Sequence, residues 1–114
     1  MSLFRKRTNG TYLLDKREFG SCLRKILGFS PGNLKLYEIA FIHRSASFTL
    51  PNGKKINNER LEYLGDAVLD AILSDYLFEK FPDGNEGFMT KIRSRIVNRD
   101  VLNQLAVSMG INKI

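Results

Sequence analysis

The chain has few of the residues that disulfide-bonded, zinc-binding and membrane proteins depend on. Its 114 residues include one cysteine, Cys22, one histidine, His43, and no tryptophan. A lone cysteine cannot form an internal disulfide, and no Cys/His spacing typical of a zinc site is present. No apolar stretch approaches the roughly 20 residues of a membrane span, and no secretory signal is recognisable. These absences favour a cytoplasmic protein in which Cys22 is a small buried hydrophobe.

Acidic residues are also in the minority. The net charge is +6 and the pI about 9.7, with 43% hydrophobic and 26% charged residues. This composition is ordinary for one globular domain, and the excess of positive charge points to a polyanionic partner such as nucleic acid.

The pattern of apolar residues, turns and caps predicts an all-α fold. Helices are expected at about 15–27, 34–45, 58–81 and 100–109, and a further helix is expected to start near 86 and to include Ile96. Asn57 or Asn58 is the expected cap of the third helix, and Gly28 and Gly110 are expected to end the first and last. Residues 48–57 are predicted to be a loop and residues 1–12 a flexible basic arm. No strand alternation is evident.

One side of the third predicted helix carries only acidic residues. Four acids fall within about 80° of the helix circumference: Glu59, Glu62, Asp66 and Asp70. Four apolar residues lie opposite them: Leu61, Leu64, Val68 and Ile72. We call the four acids the acid row. Like charges three or four residues apart repel, at a total cost of about 1 kcal/mol. A divalent cation such as Mg²⁺, which prefers carboxylate oxygens, would remove that repulsion. By spacing alone, a solvated acidic stripe is favoured over a metal site.

The amino-acid sequence of this segment is more specific than the spacing of its acids. Residues 58–69, Asn-Glu-Arg-Leu-Glu-Tyr-Leu-Gly-Asp-Ala-Val-Leu, closely resemble the signature of the ribonuclease III family. The segments 40–46 and 81–97 resemble the family stretches that flank this signature, and 98–110 resembles the next family helix. The resemblance covers at least residues 33–110. It implies the helical fold of the endonuclease domain, hydrolysis of double-stranded RNA with Mg²⁺ (or Mn²⁺ as a substitute), and a homodimer.

The resemblance also implies roles for individual residues. Glu62 and Asp66 stand at family metal-ligand positions, and Glu59 and Glu86 correspond to acids near the cleft. Tyr63 occupies the aromatic position that packs across the family's dimer interface. Asp70 has no consistent acidic counterpart, so we interpret it either as a surface residue or as one that supports the metal ligands without binding the ion.

Other candidate residues follow from their chemistry alone. Lys91, Arg93 and Arg95 on the fourth helix, and Lys54 in the loop before the third, are candidates for phosphate contacts, which would make RNA affinity dependent on salt. For any one of them, a solvated position on a helix face or loop is an equally admissible interpretation. His43 stands in a helix with an apolar face and is interpreted as a hydrogen-bonded structural residue. Ser45 is interpreted as a helix-end or loop-anchoring residue and not a nucleophile.

The family's metal site has two more acids on a later helix, and nothing after Asp100 resembles that helix. We therefore expect residues 13–114 to be a partial catalytic domain, without the later helices and a double-stranded RNA-binding domain, and not fully active alone. The alternative is a non-catalytic RNA-binding or ribosome-associated relative. A di-iron carboxylate bundle is disfavoured, because His43 has no Glu three residues before it.

Overall fold

The computed structural model describes residues 4–8 and 11–114, with side chains from Asp15 onward. Most of this part of the chain is helical, as predicted. Five α-helices are described, α1 to α5 in chain order: Lys16–Leu27, Leu34–Ala40, Glu59–Lys80, Glu86–Ile96 and Arg99–Met109. None of the described helices is long and apolar enough to cross a membrane. The chain divides into two compact units, one of residues 1–34 with 102–114 and one of residues 35–101.

The first unit contains a short antiparallel hairpin and helix α1. Strand β1 (Phe4–Thr8) pairs with β2 (Thr11–Leu14), in a register that places Phe4 opposite Leu14. The predicted absence of strands is therefore wrong here. The predicted flexibility of residues 1–12 stays a prediction, and residues 1–3 and 9–10 lie outside the described part.

Helix α1 has the ends that the sequence predicts. The Asp15 side chain accepts hydrogen bonds from the N–H groups of Arg17 and Glu18, both at 3.1 Å. Gly28 ends the helix with φ of 79°, a left-handed conformation that glycine adopts without a steric penalty. Phe19 and Leu23, one turn apart, are buried. Cys22 is only half-buried, so the prediction of a buried cysteine is met in part.

The second unit begins with a helix shorter than predicted. Helix α2 ends at Ala40 and not near 45, and a separate 3₁₀ turn follows at Arg44–Ala46. The reason is His43, whose backbone is extended (φ −62°, ψ 149°) and whose ring nitrogen accepts a hydrogen bond from the Ser45 N–H. This side chain competes with the helical hydrogen-bond pattern, as short polar caps do.

The predicted loop at 48–57 contains a second small hairpin. Strands β3 (Phe48–Thr49) and β4 (Lys55–Ile56) pair antiparallel. Their turn is closed by the Leu50 N–H, which donates to the Lys54 carbonyl at 2.8 Å, and by Gly53 with φ of 84°. Two-residue strands are too short to show an alternating pattern, which is why the sequence did not predict them.

Helices α3 and α4 pack against each other across a five-residue turn, and both start and end close to the predicted residues. The rings of Phe81 and Phe88 meet edge to face, with centroids 5.3 Å apart. A Cβ on Gly84 would lie 2.7 Å from the Phe88 ring, so a larger residue here would displace that ring.

The buried side of α3 is not the apolar side that the sequence indicates. Leu64, Val68 and Ile72 are 58%, 50% and 60% exposed. Leu77 is 1% exposed, and it falls in the angular direction of the acid row, 18 residues after Glu59. The same side of α3 is therefore acidic in its first half and carries Leu73 and Leu77 in its second half.

Candidate active site

The acid row lies along the first half of α3 with all four side chains exposed. None of these carboxylates receives a hydrogen bond or an ion pair from any side chain in the described part of the molecule. They are therefore not neutralised by the basic residues of the same chain. Unpaired carboxylates on one helix face are free to accept a cation.

Two asparagines stand at the start of α3, as predicted, but the one at the cap position is not the one that makes the capping hydrogen bond. Asn58 occupies the cap position, and its side chain makes no capping hydrogen bond. The Asn57 Oδ1 instead accepts from the Glu59 N–H at 3.0 Å. The Asn58 carbonyl accepts from the Glu62 N–H at 2.8 Å, which closes the first helical turn. Glu59 and Glu62 thus stand on a well-defined helix end.

Glu62 and Asp66 have the right donor chemistry for Mg²⁺ but do not complete a site. They are one helical turn apart, so both side chains project from the same face. Within the described residues, no three His, Cys, Asp or Glu side chains are grouped closely enough to hold a metal ion. Mg²⁺ is commonly held by one or two carboxylates together with waters and substrate phosphates. The pair fits that kind of partial coordination.

The other predicted acids lie at different places. Glu59 begins α3, whereas Glu86 begins α4 just beyond the other end of α3. The helix between them is about 30 Å long, so one copy of the chain does not bring Glu59 and Glu86 to a common ion. Glu86 stands in the first turn of a helix whose Asn85 cap accepts from the Phe88 N–H at 2.9 Å.

The predicted basic residues of α4 divide into two kinds. Lys91 and Arg95 are exposed, as is Lys54 in the β3–β4 hairpin, and all three remain available for phosphate. Arg93 is half-buried, and its Nη1 donates to the Ser74 Oγ of α3 at 2.8 Å. We therefore assign Arg93 to the contact between the two helices and not to the free basic surface on which the sequence placed it.

This assignment predicts different effects at two arginines of the same helix. Arg93→Ala is expected to lower the free energy of unfolding by about 1–2 kcal/mol, because it removes a charged hydrogen-bond donor between helices. Arg95→Ala, the matched control, is exposed and is expected to change stability by less than about 0.5 kcal/mol. Urea unfolding followed by circular dichroism measures both. Equal losses for the two variants would contradict the interhelical role of Arg93.

His43 and Ser45 form a local structural pair. The Ser45 Oγ lies 2.8 Å from the His43 Nδ1, which also accepts from the Ser45 N–H at 3.1 Å. The predicted hydrogen bonding of His43 is confirmed, although this residue is exposed and is not in a helix. Ser45 is the middle residue of the 3₁₀ turn Arg44–Ala46.

Tyr63 is the most exposed large apolar residue of the described chain, at 82%. It sits between Glu59 and Asp66 in sequence but points about 40–60° away from their direction around the helix. Its predicted contact across a dimer interface stays a prediction.

Comparison with known proteins agrees with this geometry. The family described as Ribonuclease III domain matches residues 59–114, a match that starts at the first residue of the acid row. Ribonuclease 3 of Bacteroides fragilis is 50% identical over 98 residues, 86% of this chain and 34% of the relative. The chain belongs to the ribonuclease III family. Ribonuclease 3 of Azobacteroides pseudotrichonymphae is 46% identical over 107 residues, 94% of this chain and 41% of the relative.

A solved structure supports the family's fold. The nuclease domain of a ribonuclease III from Campylobacter jejuni superposes with a TM-score of 0.69 at 35% identity, over 81% of this chain and 60% of that one. That structure is described for its flexibility in a region involved in dimer formation. The present ribonuclease III chain spans about a third of the length of its Bacteroides fragilis relative.

Proposed function

We propose that this ribonuclease III chain supplies part of the active site of a Mg²⁺-dependent endoribonuclease that cleaves double-stranded RNA, as in the processing of rRNA and mRNA precursors in the cytoplasm. Glu62 and Asp66 would hold Mg²⁺, or Mn²⁺ in its place. The observation that carries the proposal is the exposed, unpaired acid row on α3, in a chain whose relatives are named Ribonuclease 3.

The acid row explains why metal and RNA would bind together. Without a cation, Glu62 and Asp66 repel each other and also repel RNA phosphates. When bound, Mg²⁺ supplies Lewis-acid stabilisation of charge at the scissile phosphate. Glu59, in the first turn of α3, faces the same side and would orient water or RNA at the edge of the site. No side chain here needs to attack the phosphate.

The exposed basic residues would attract the RNA backbone. Lys91 and Arg95 project from α4, and Lys54 stands on the β3–β4 hairpin that precedes the acid row. Such contacts read the shape and phosphates of a duplex and not its sequence. Each phosphate that a basic side chain neutralises is expected to steepen the salt dependence of binding.

We further propose that the active form is a homodimer in which Tyr63 is buried. Tyr63 and its apolar neighbours Leu64 and Val68 are at least half exposed in the single chain. Their burial against a second copy would remove exposed apolar side chains from water.

A binding measurement tests the metal ligands directly. The 114-residue chain is expected to bind Mn²⁺ weakly, as read by electron paramagnetic resonance of the free ion. In the double variant Glu62→Gln, Asp66→Asn, affinity is expected to fall by at least about tenfold, because both anionic oxygen donors are lost. Asp75→Asn is the control, because it removes one charge from the opposite side of the same helix. Unchanged affinity in the double variant would refute the ligand assignment.

RNA cleavage is tested by extending this chain to the length of a relative. We expect a chimera of residues 1–114 with the remaining C-terminal part of the Bacteroides fragilis relative to cut duplex RNA in Mg²⁺. A folded chimera that binds duplex RNA and leaves it intact would instead support a non-catalytic RNA-binding protein.

A further inference from the structure

The first turn of the acid helix is attached to the end of α2 by hydrogen bonds from a single residue. The Asn58 N–H donates to the Ile42 carbonyl at 2.8 Å, and the Asn58 Nδ2 donates to the Ala40 carbonyl at 3.0 Å. Both acceptors are 16 to 18 residues earlier in the chain. Asn58 therefore joins two separate elements of the second unit and does not merely end one of them.

Asn57 adds a second attachment beside the first. Its Nδ2 donates to the Ser47 Oγ at 3.0 Å, while its Oδ1 caps the Glu59 N–H. The Ser47 Oγ in turn donates to the Arg44 carbonyl in the 3₁₀ turn. The two asparagines thus connect α3 to the end of α2 and to the turn that follows it.

Apolar packing does little to hold this half of α3. From Glu59 to Ala71, no side chain is buried, and only Leu61 and Leu69 are half-buried. Because a helix end without buried contacts frays readily, the direction of Glu59 and Glu62 depends on polar attachments. We propose that Asn58 is a positioning residue: its side-chain amide fixes the first turn of α3 and, with it, the metal-binding carboxylates. This inference rests on the proposed function for its link to metal.

The attachment can be separated from ordinary helix capping. At a helix N-cap, Asp and Asn are about equally favourable, and negative charge near the helix N-terminus is stabilising. A capping role therefore predicts that Asn58→Asp is harmless. The attachment predicts the opposite, since a carboxylate cannot donate to the Ala40 carbonyl and would place an anionic oxygen beside it.

The experiment compares Asn58→Asp with Asn85→Asp in the 114-residue chain. Asn85 is the matched control, because it caps α4 only through its Oδ1, which aspartate retains. The first readout is amide hydrogen exchange without metal. Exchange at Glu62 and Tyr63 is expected to accelerate by at least about tenfold in Asn58→Asp and to stay unchanged in Asn85→Asp.

The second readout is Mn²⁺ affinity, taken at a temperature at which all variants are fully folded. Asn58→Asp is expected to weaken it by about tenfold, the size seen when groups that orient metal ligands are lost. Asn58→Ser removes the amide donor without adding charge. It is expected to accelerate amide exchange and to weaken Mn²⁺ affinity as Asn58→Asp does, and it replaces Asn58→Asp in the experiment if that variant does not fold. A variant that only lost stability would keep its Mn²⁺ affinity under these conditions.

The outcomes separate the two ideas. If the native chain binds Mn²⁺ and the Asn58→Ser variant binds it with the same affinity, the positioning role is refuted and the proposed function stands. A native chain without Mn²⁺ affinity overturns the proposed function, and with it the link between Asn58 and metal. Unchanged exchange at Glu62 in both Asn58 variants refutes the attachment itself.

Discussion

Replacement of Asp66 by asparagine in the chimera described above is expected to reduce cleavage of duplex RNA by at least about 10³-fold. The substitution keeps the size and helix position of the side chain and removes one anionic oxygen donor. If the carboxylate holds a cation that stabilises the reacting phosphate by several kcal/mol, its loss costs about 4 kcal/mol of transition-state stabilisation, or about 10³ in rate. Initial rates on a labelled duplex, measured over a range of Mg²⁺ concentrations, give the effect.

Asp70→Asn is the control that decides between a metal site and a charged stripe. Asp70 is the next acid of the same row, one turn later, and it is equally exposed and unpaired. If the row were only a solvated surface, the two substitutions would have the same small effect. We expect Asp70→Asn to retain activity within about threefold, a difference of less than 1 kcal/mol. Near-native activity of Asp66→Asn would remove the catalytic role from the row.

The helix ends were predictable where their signals are local. Asp15 accepts from N–H groups two and three residues later, and Gly28 adopts the left-handed conformation that stops α1. Such contacts span one turn, so the sequence shows both partners side by side. The early end of α2 was missed because His43 competes for the Ser45 N–H, and a histidine cap has no distinctive spacing.

The acid row was predictable from spacing and from the family signature, but its supports were not. The Arg93 bond to Ser74 spans 19 residues, and the Asn58 bond to Ala40 spans 18. No local pattern marks which arginine turns inward, since Arg93 and Arg95 stand two residues apart with the same chemistry. The asparagines were expected at the start of α3 as caps, and only the folded chain shows that the Asn58 amide reaches another element.

The buried side of α3 was also unpredictable from periodicity, because its character changes along the helix. The direction that carries Glu59, Glu62 and Asp66 carries Leu73 and Leu77 two to three turns later. A single apolar stripe, which a periodicity argument seeks, instead runs through Leu64, Val68 and Ile72 and is exposed.

Leu77→Ala is therefore expected to be the most destabilising truncation in the second unit, by about 2–5 kcal/mol. Leu77 is the one fully buried side chain that the structure describes between residues 35 and 101, at 1% exposure. Its truncation removes buried methyl groups and leaves a cavity, whereas Leu64→Ala makes the same chemical change on the same helix at a position 58% exposed. Because helix propensity changes equally in both, the difference between them isolates burial. Urea unfolding of each variant gives the two free energies.

The effect of Leu64→Ala on the free energy of unfolding, measured at several protein concentrations, also tests the proposed dimer. In dilute protein, Leu64→Ala is expected to cost less than about 1 kcal/mol. If Tyr63 and its neighbours are covered by a second copy, the cost of Leu64→Ala rises with protein concentration, since association stabilises only the folded dimer. The cost of Leu77→Ala stays constant, because that side chain is already buried within one chain. A larger loss for Leu64→Ala than for Leu77→Ala in dilute protein would contradict the assignment of Leu77 to the buried side of α3 and of Leu64 to its exposed side.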